Sequence, residues 1–182
     1  MLFDARSIRL KDGRDCTLRP TGPDDATALI EYLEKTSGET PFLLRYPDEV
    51  VYTLEQERTL LERIRNDPRS VMMAAVVEGR IAGNCSISGL GQQRKLRHRC
   101  SLAIALYREF WGLGIGSAMI GYLTELARQI GYEQLELEVV AENEAARALY
   151  ARCGFEVYGR RPRAMRFDDG SLHDEILMMK PL

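Results

Sequence analysis

No stretch of this sequence approaches the roughly 20 apolar residues that span a bilayer. The start, Met1 to Leu10, reads MLFDARSIRL and lacks a basic region followed by an apolar run, so no secretory signal is expected. Histidine is scarce, with only His98 and His173 in 182 residues. The four cysteines, Cys16, Cys85, Cys100 and Cys153, form no C-x-x-C pair and no Cys/His cluster of zinc-like spacing, so no metal site is expected. An even count permits disulfides, but a chain of this size needs none. Reduced thiols and a cytoplasmic location are therefore expected. Charge of one sign is also missing: 25 basic against 27 acidic residues leave −2. That excludes the strongly basic signature of a dedicated nucleic-acid binder, and neither nucleic acid nor membrane is expected as a partner. There is no internal repeat and no low-complexity linker, and the length fits one domain over residues 1–182.

What is present is a globular balance, 45% hydrophobic and 29% charged. Residues 6–20 alternate as strands about an Asp12-Gly13 turn. Pro23 opens a helix with Ala26, Leu29, Ile30 and Leu33 on one face. Thr53 and Gln56 form a capping box for a second helix that stops before Pro68. Between these helices, Gly38 to Val50 is a loop carrying Pro41, Phe42, Leu43, Leu44, Tyr46 and Pro47, too apolar for an idle connection. Ser70 to Val77 and Ile81 to Leu90 read as a hairpin about Glu78-Gly79-Arg80, and Arg99 to Leu106 as a further strand. Gly114 to Gly131 is an amphipathic helix with Ile115, Met119, Tyr122, Leu126 and Ile130 on its apolar face. Leu135, Leu137 and Val139 alternate with Glu136 and Glu138, a strand with one wet face. Asn143 caps a short helix ending near Gly154, and Phe155 to Phe167 with Leu172 to Met179 form a last hairpin. The order indicates an α+β (mixed α/β) fold.

The segment that carries chemistry is Trp111-Gly112-Leu113-Gly114-Ile115-Gly116-Ser117. It follows a strand and opens the long helix. The first N–H groups of a helix have no internal partner, and the helix dipole makes that end partly positive. Glycines that remove Cβ atoms there build a diphosphate cradle from main-chain donors. The dinucleotide fingerprint G-x-G-x-x-G is nearly met by Gly112, Gly114 and Ser117, but it normally follows the first strand of a parallel βαβ repeat.

After the next strand comes Asn143-Glu144-Ala145-Ala146-Arg147-Ala148-Leu149-Tyr150-Ala151-Arg152-Cys153-Gly154-Phe155, of the form N-x-x-A-x-x-L-Y-x-x-x-G-F. Placed after W-G-x-G-I-G, it resembles the GNAT superfamily of acyl-CoA N-acyltransferases over nearly the whole chain. Leu18-Arg19-Pro20, Glu39-Thr40-Pro41-Phe42 and His173 to Met178 look like a bacterial branch that includes ribosomal-protein-type acetyltransferases. The resemblance implies a mostly antiparallel twisted sheet of about six to seven strands flanked by about four helices, with splayed strands forming the acyl-CoA cleft. It implies acetyl-CoA as co-substrate, an amine acceptor, and a possible homodimer. Where the family has Arg or Gln, this chain has Trp111, so the cradle would rely more on backbone donors. The cofactor-binding set is then Ile104, Ala105 and Leu106 beside the pantetheine arm, Trp111, Gly112, Leu113, Gly114, Ile115, Gly116 and Ser117 at the diphosphate, and Asn143.

By the same resemblance Tyr150 is the catalytic acid that protonates the departing thiolate. An alkylamine acceptor, with pKa about 10.4, must also lose a proton before attack. Glu39, Glu138, Asp174, His98 or a water chain are open candidates for that base. Arg94, Lys95, Arg97, His98 and Arg99 form a basic run, with a solvated loop as the default and the 3′-phosphate of CoA as one use. Alternation puts Arg161 and Arg163 on one face of the last hairpin. A non-catalytic acyl-CoA-binding sensor and a dinucleotide-binding oxidoreductase are the competing readings.

Overall fold

Alternating apolar residues build one sheet of eight strands in the order β1-β2-β3-β4-β5-β6-β8-β7 in a computed structural model that describes residues 1–182. The strands are β1 (Arg6–Arg9), β2 (Asp15–Pro20), β3 (Val71–Val77), β4 (Arg80–Gly89), β5 (Arg99–Leu106), β6 (Gln134–Val140), β7 (Glu156–Arg166) and β8 (Leu172–Pro181). Every neighbouring pair is antiparallel except β5 with β6. The sheet has eight strands where the family resemblance implies about six to seven, and both β1 and β2 fall in the alternating residues 6–20 about the Asp12-Gly13 turn.

Four helices, α1 (Ala26–Glu39), α2 (Leu54–Asn66), α3 (Ile115–Ile130) and α4 (Glu144–Arg152), complete the α+β fold. Thr53 caps α2 reciprocally with Gln56, as its spacing requires. The apolar face of α3 is buried at Ile115, Met119, Tyr122 and Leu126, and Gly131 ends the helix in the left-handed region at φ 91°. The core joins these residues to Leu18, Met73, Ile87 and Leu135 from the sheet. All four cysteines are unpaired. No helix is long and apolar enough to cross a membrane.

One expectation fails within β6. Glu136 is not on a wet surface but 6% exposed. Arg99 on β5 reaches it with two guanidinium bonds, at 2.5 and 2.8 Å, and Gln134 and the Tyr158 hydroxyl supply further donors. A carboxylate is tolerated there because its oxygens are charge-paired and hydrogen-bonded, which period-two alternation cannot reveal.

Candidate functional site

The sheet opens where β5 leaves β6. These parallel strands pair only at Arg99–Gln134, Cys100–Leu135 and Ser101–Glu136. Beyond Ser101, β5 stays paired with β4 as far as Leu106, while β6 continues along β8 to Val140. The result is a wedge-shaped gap. The Tyr107 N–H donates to Ala82 on β4, so by alternation Leu106, Ile104 and Leu102 aim their main-chain groups at the gap. Ile104, Ala105 and Leu106 thus lie on the half of β5 that has no neighbour on the β6 side.

A phenol is built into the other side of this strand. The buried Tyr32 of α1 accepts the Asn84 N–H at 3.2 Å and donates to the Ala105 carbonyl at 2.6 Å, standing in the β4–β5 ladder between two groups that would otherwise pair. Burial drives its pKa well above the ordinary tyrosine value. Gly83 stands beside it, where a Cβ would fall 2.9 Å from the Ala105 carbonyl oxygen and run into the Leu106 side chain.

The glycine turn follows at the open end. The Trp111 indole donates to the Leu106 carbonyl at 2.8 Å and so ties the turn to the end of β5. Gly112 and Gly114 have φ of 77° and 96°, which L side chains rarely adopt, and open space lies where their Cβ atoms would be. Gly116 has a different duty. A Cβ there would sit 3.0 Å from Leu149 Cδ2, so this glycine lets α3 approach α4. None of the N–H groups from Gly112 to Ser117 donates to another group of the chain, and Gly114 caps α3 without a side-chain bond. A run of free donors at a helix N-terminus suits a diphosphate.

Helix α4 brings the second motif to the same gap. Asn143 Oδ1 accepts the Ala146 N–H at 3.2 Å, the N-cap role its position suggests. Its amide nitrogen has no bond in the chain. Tyr150 lies beside Leu149, the residue against Gly116, and its ring packs on Phe155. It is 8% exposed, its hydroxyl has no partner in the chain, and burial pushes its pKa up to about 12. It is therefore a neutral donor at physiological pH.

The carboxylates separate by position. Glu39 accepts the Arg108 N–H at 2.7 Å and serves as a strut. Asp174 is held by Arg160 and by the Arg163 N–H. His98 precedes β5, so the strand's full length, about 25 Å at ~3.3 Å per residue, separates it from the glycine turn. The basic run from Arg94 to Arg99 lies at that same distant end. Glu138 is different. It shares a face of the sheet with Glu136, one step further toward the open end of the wedge, beyond the last β5–β6 pair. Arg161 on β7 grips it with bonds of 2.7 and 2.8 Å and also reaches Glu175 at 2.7 Å. That pairing holds the Glu138 carboxyl below the usual range.

This face is roofed. The α1–α2 loop reaches the β7–β8 turn, where Tyr46 Oη accepts the Asp168 N–H at 2.9 Å. Tyr32 and the Arg161 bridge were not legible as site features. Tyr32 is not among the residues that the helix periodicity singles out, and a cross-sheet ion pair has no signature in local spacing.

Comparison with known proteins finds relatives in sequence and in fold. The model of the acetyltransferase (GNAT) family matches residues 31–155, more than half of the chain. The uncharacterized N-acetyltransferase YdgE of Bacillus subtilis is 38% identical over 61 residues, 34% of this chain and 39% of that protein, so the match spans well under two thirds of the relative. The GNAT-family acetyltransferase from Streptococcus pneumoniae superposes with a TM-score of 0.88 at 29% identity, covering 92% of this chain and 99% of that one. The yncA structure from Salmonella typhimurium, which holds its cofactor acetyl-CoA, superposes with a TM-score of 0.80 at 17% identity over 92% and 94% of the two chains.

Proposed function

The chain belongs to the acetyltransferase (GNAT) family, and on that premise we propose that it carries an acetyl group from acetyl-CoA to a primary amine by direct attack on the thioester. The observation that carries the reading is the coincidence of the β5–β6 gap with the free N–H groups of Gly112 to Ser117. The Ile104 main chain and the Leu106 N–H would pair with the pantetheine arm as a short substitute strand, the Leu106 carbonyl being held by Trp111, and one of the two N–H groups would donate to the thioester oxygen as negative charge develops. The turn from Gly112 to Ser117 would hold the diphosphate, Trp111 would keep that turn at the end of β5, and the free amide of Asn143 would reach the arm.

The acceptor enters under the Tyr46–Asp168 arch. Its ammonium gives a proton to a carboxylate, and Glu138 is the one that faces the gap. The freed lone pair forms the new N–C bond, and the carbonyl electrons move to oxygen and return as the C–S bond breaks. Tyr150 then gives its proton to the departing sulfur, and its phenolate is reprotonated from solvent or from the acylated amine. Asp174 alternates to the face of β8 opposite Glu175 and Glu138, and Glu39 is tied to the Arg108 N–H beyond the end of β5, so neither is assigned the base. The acceptor is a small-molecule amine or a protein N-terminus.

The test is calorimetric titration with acetyl-CoA, NAD and FAD, beside thiol release from acetyl-CoA with a panel of amines. Micromolar binding of acetyl-CoA alone, with amine-dependent thiol release, is expected. Binding without release for any amine would make the chain a sensor, and binding of NAD or FAD instead would remove the reading.

A further inference from the structure

Arg161 stands at an unusual place on an edge strand. β7 loses register with β8 between Arg161 and Met165, and within that stretch Arg163 has a φ of 54°. The bulge turns Arg161 inward across β8. One guanidinium then serves two carboxylates: Nη1 lies 2.8 Å from Glu138 Oε2 and 2.7 Å from Glu175 Oε2, and Nη2 lies 2.7 Å from Glu138 Oε1. The bidentate grip fixes both the position and the rotation of the Glu138 carboxyl plane. Glu175 is the more enclosed partner, its side chain 13% exposed against 48% for Glu138. Glu138 is thus the carboxylate open to an incoming group.

The other groups facing Glu138 are accounted for. Glu136 on the same strand is a like charge, neutralised by Arg99. Tyr158 of β7 bonds to Glu136 rather than Glu138. By register β5 offers on this face Arg99, already bonded to Glu136, and the uncharged Ser101, Ala103 and Ala105. Arg161 is the one cation bonded to Glu138.

We propose that Arg161 is a positioning residue for acetyl transfer, holding Glu138 ionised and oriented toward the acceptor through the shared bridge to Glu175. This rests on the acetyltransferase reading above. Without the guanidinium, Glu138 and Glu175 face each other and share one proton, taken up at a higher pH than before and occupying the Glu138 oxygen that would accept from the acceptor. A protonated Glu138 cannot accept the proton of an incoming ammonium. Arg161 therefore sets the acid side of the pH–rate profile while touching neither substrate. The site is also matched to cationic amines, because the acceptor's ammonium meets a carboxylate already stripped of its own proton.

The experiment combines a titration with kinetics. Carboxyl-carbon NMR follows Glu138, assigned by its loss in Glu138→Gln, in the wild type and in Arg161→Gln and Arg161→Lys. Its midpoint should move upward in Arg161→Gln and return most of the way in Arg161→Lys. Spermidine, L-lysine and an alanine-initiated hexapeptide serve as amine probes. In Arg161→Gln, kcat/KM at pH 5.5 relative to pH 7.5 should fall about threefold or more below the wild-type ratio, with the acetyl-CoA KM unchanged. An unmoved Glu138 midpoint in Arg161→Gln overturns the proposal. So does a moved midpoint with an unaltered pH–rate ratio. Failure of the wild type to bind acetyl-CoA in calorimetry would sink the acetyltransferase reading separately, and with it the positioning role.

Discussion

The phenol oxygen of Tyr46 accepts the backbone N–H of Asp168 at 2.9 Å, joining two segments 122 residues apart. One segment leads from α1 to α2 and the other turns from β7 into β8, so a single hydrogen bond closes the arch over the face that carries Glu138. Tyr46→Phe removes only the hydroxyl. The acceptor KM is expected to rise about 3- to 10-fold, in keeping with loss of one hydrogen bond of ~1 kcal/mol, while the acetyl-CoA KM stays put. Steady-state kinetics against an identified amine checks this. Unchanged constants with a lowered melting temperature would make the arch purely structural.

The glycines of the turn should separate by function. Gly114→Val strains a backbone held at φ 96° and places branches over the free N–H groups. Acetyl-CoA affinity should drop about 100-fold or more, with circular dichroism retained. Gly116→Val instead drives a side chain into Leu149, which neighbours Tyr150. That variant should lose stability by about 1–3 kcal/mol as well as affinity. Equal urea midpoints for the two variants would contradict the division.

Tyr150→Phe deletes one hydroxyl with no partner in the chain, so folding should be nearly unaffected. Turnover is expected to fall about 10- to 1,000-fold with acetyl-CoA binding unchanged. Because the pKa is pushed up to about 12, the wild-type rate should show no loss attributable to this phenol below pH 10. Pre-steady-state thiol release in the two proteins measures the effect, and equal rates would return Tyr150 to a packing role.

Glu136 and Arg99 predict the acid limit of stability. Glu136 sits 6% exposed, and the Arg99 bonds hold its carboxyl below the usual value in the folded chain. The unfolded chain therefore takes up this proton first as pH falls. The contribution is complete above the unfolded value near 4.3 and is lost as pH drops through the folded one. Glu136→Ala leaves the guanidinium without its partner and should cost about 2–4 kcal/mol at pH 7, with a shallower loss of stability below pH 4.5 than the wild type shows. Urea denaturation between pH 3 and 7 decides it, and parallel curves for the two proteins would refute it.

The helices and the glycine turn are legible because their signals are local. Thr53 with Gln56, Gly114 with Gly131 and the four-and-three spacing of α3 each act within a few residues. The two helix-opening motifs, at Gly112 to Ser117 and at Asn143, could be joined only through family resemblance, since contacts such as Gly116 against Leu149 link distant parts of the chain. The gap itself has no local signature. It arises where β5 and β6 stop pairing after Ser101, and at Ala105, where the hydroxyl of Tyr32 enters the β4–β5 ladder. Glu136 was misjudged for the same reason, because its partner comes from a neighbouring strand. Alternation could place Arg161 on a face of the last hairpin, but the two carboxylates that fix it come from β6 and β8.

The early parting of β5 from β6 has a consequence for the protein before it meets any ligand. Most sheets confine their unpaired edges to the periphery, where short strands and charges discourage other chains from adding. Here a half-edge, Leu102 to Leu106, lies in the middle of the molecule and is apolar throughout. Extended peptides and amide-backbone mimetics have a place to add there, and a ligand filling it would stabilise the fold in proportion to the logarithm of its concentration above Kd. Inhibitor design would profit from treating the gap as a strand edge rather than as a simple pocket.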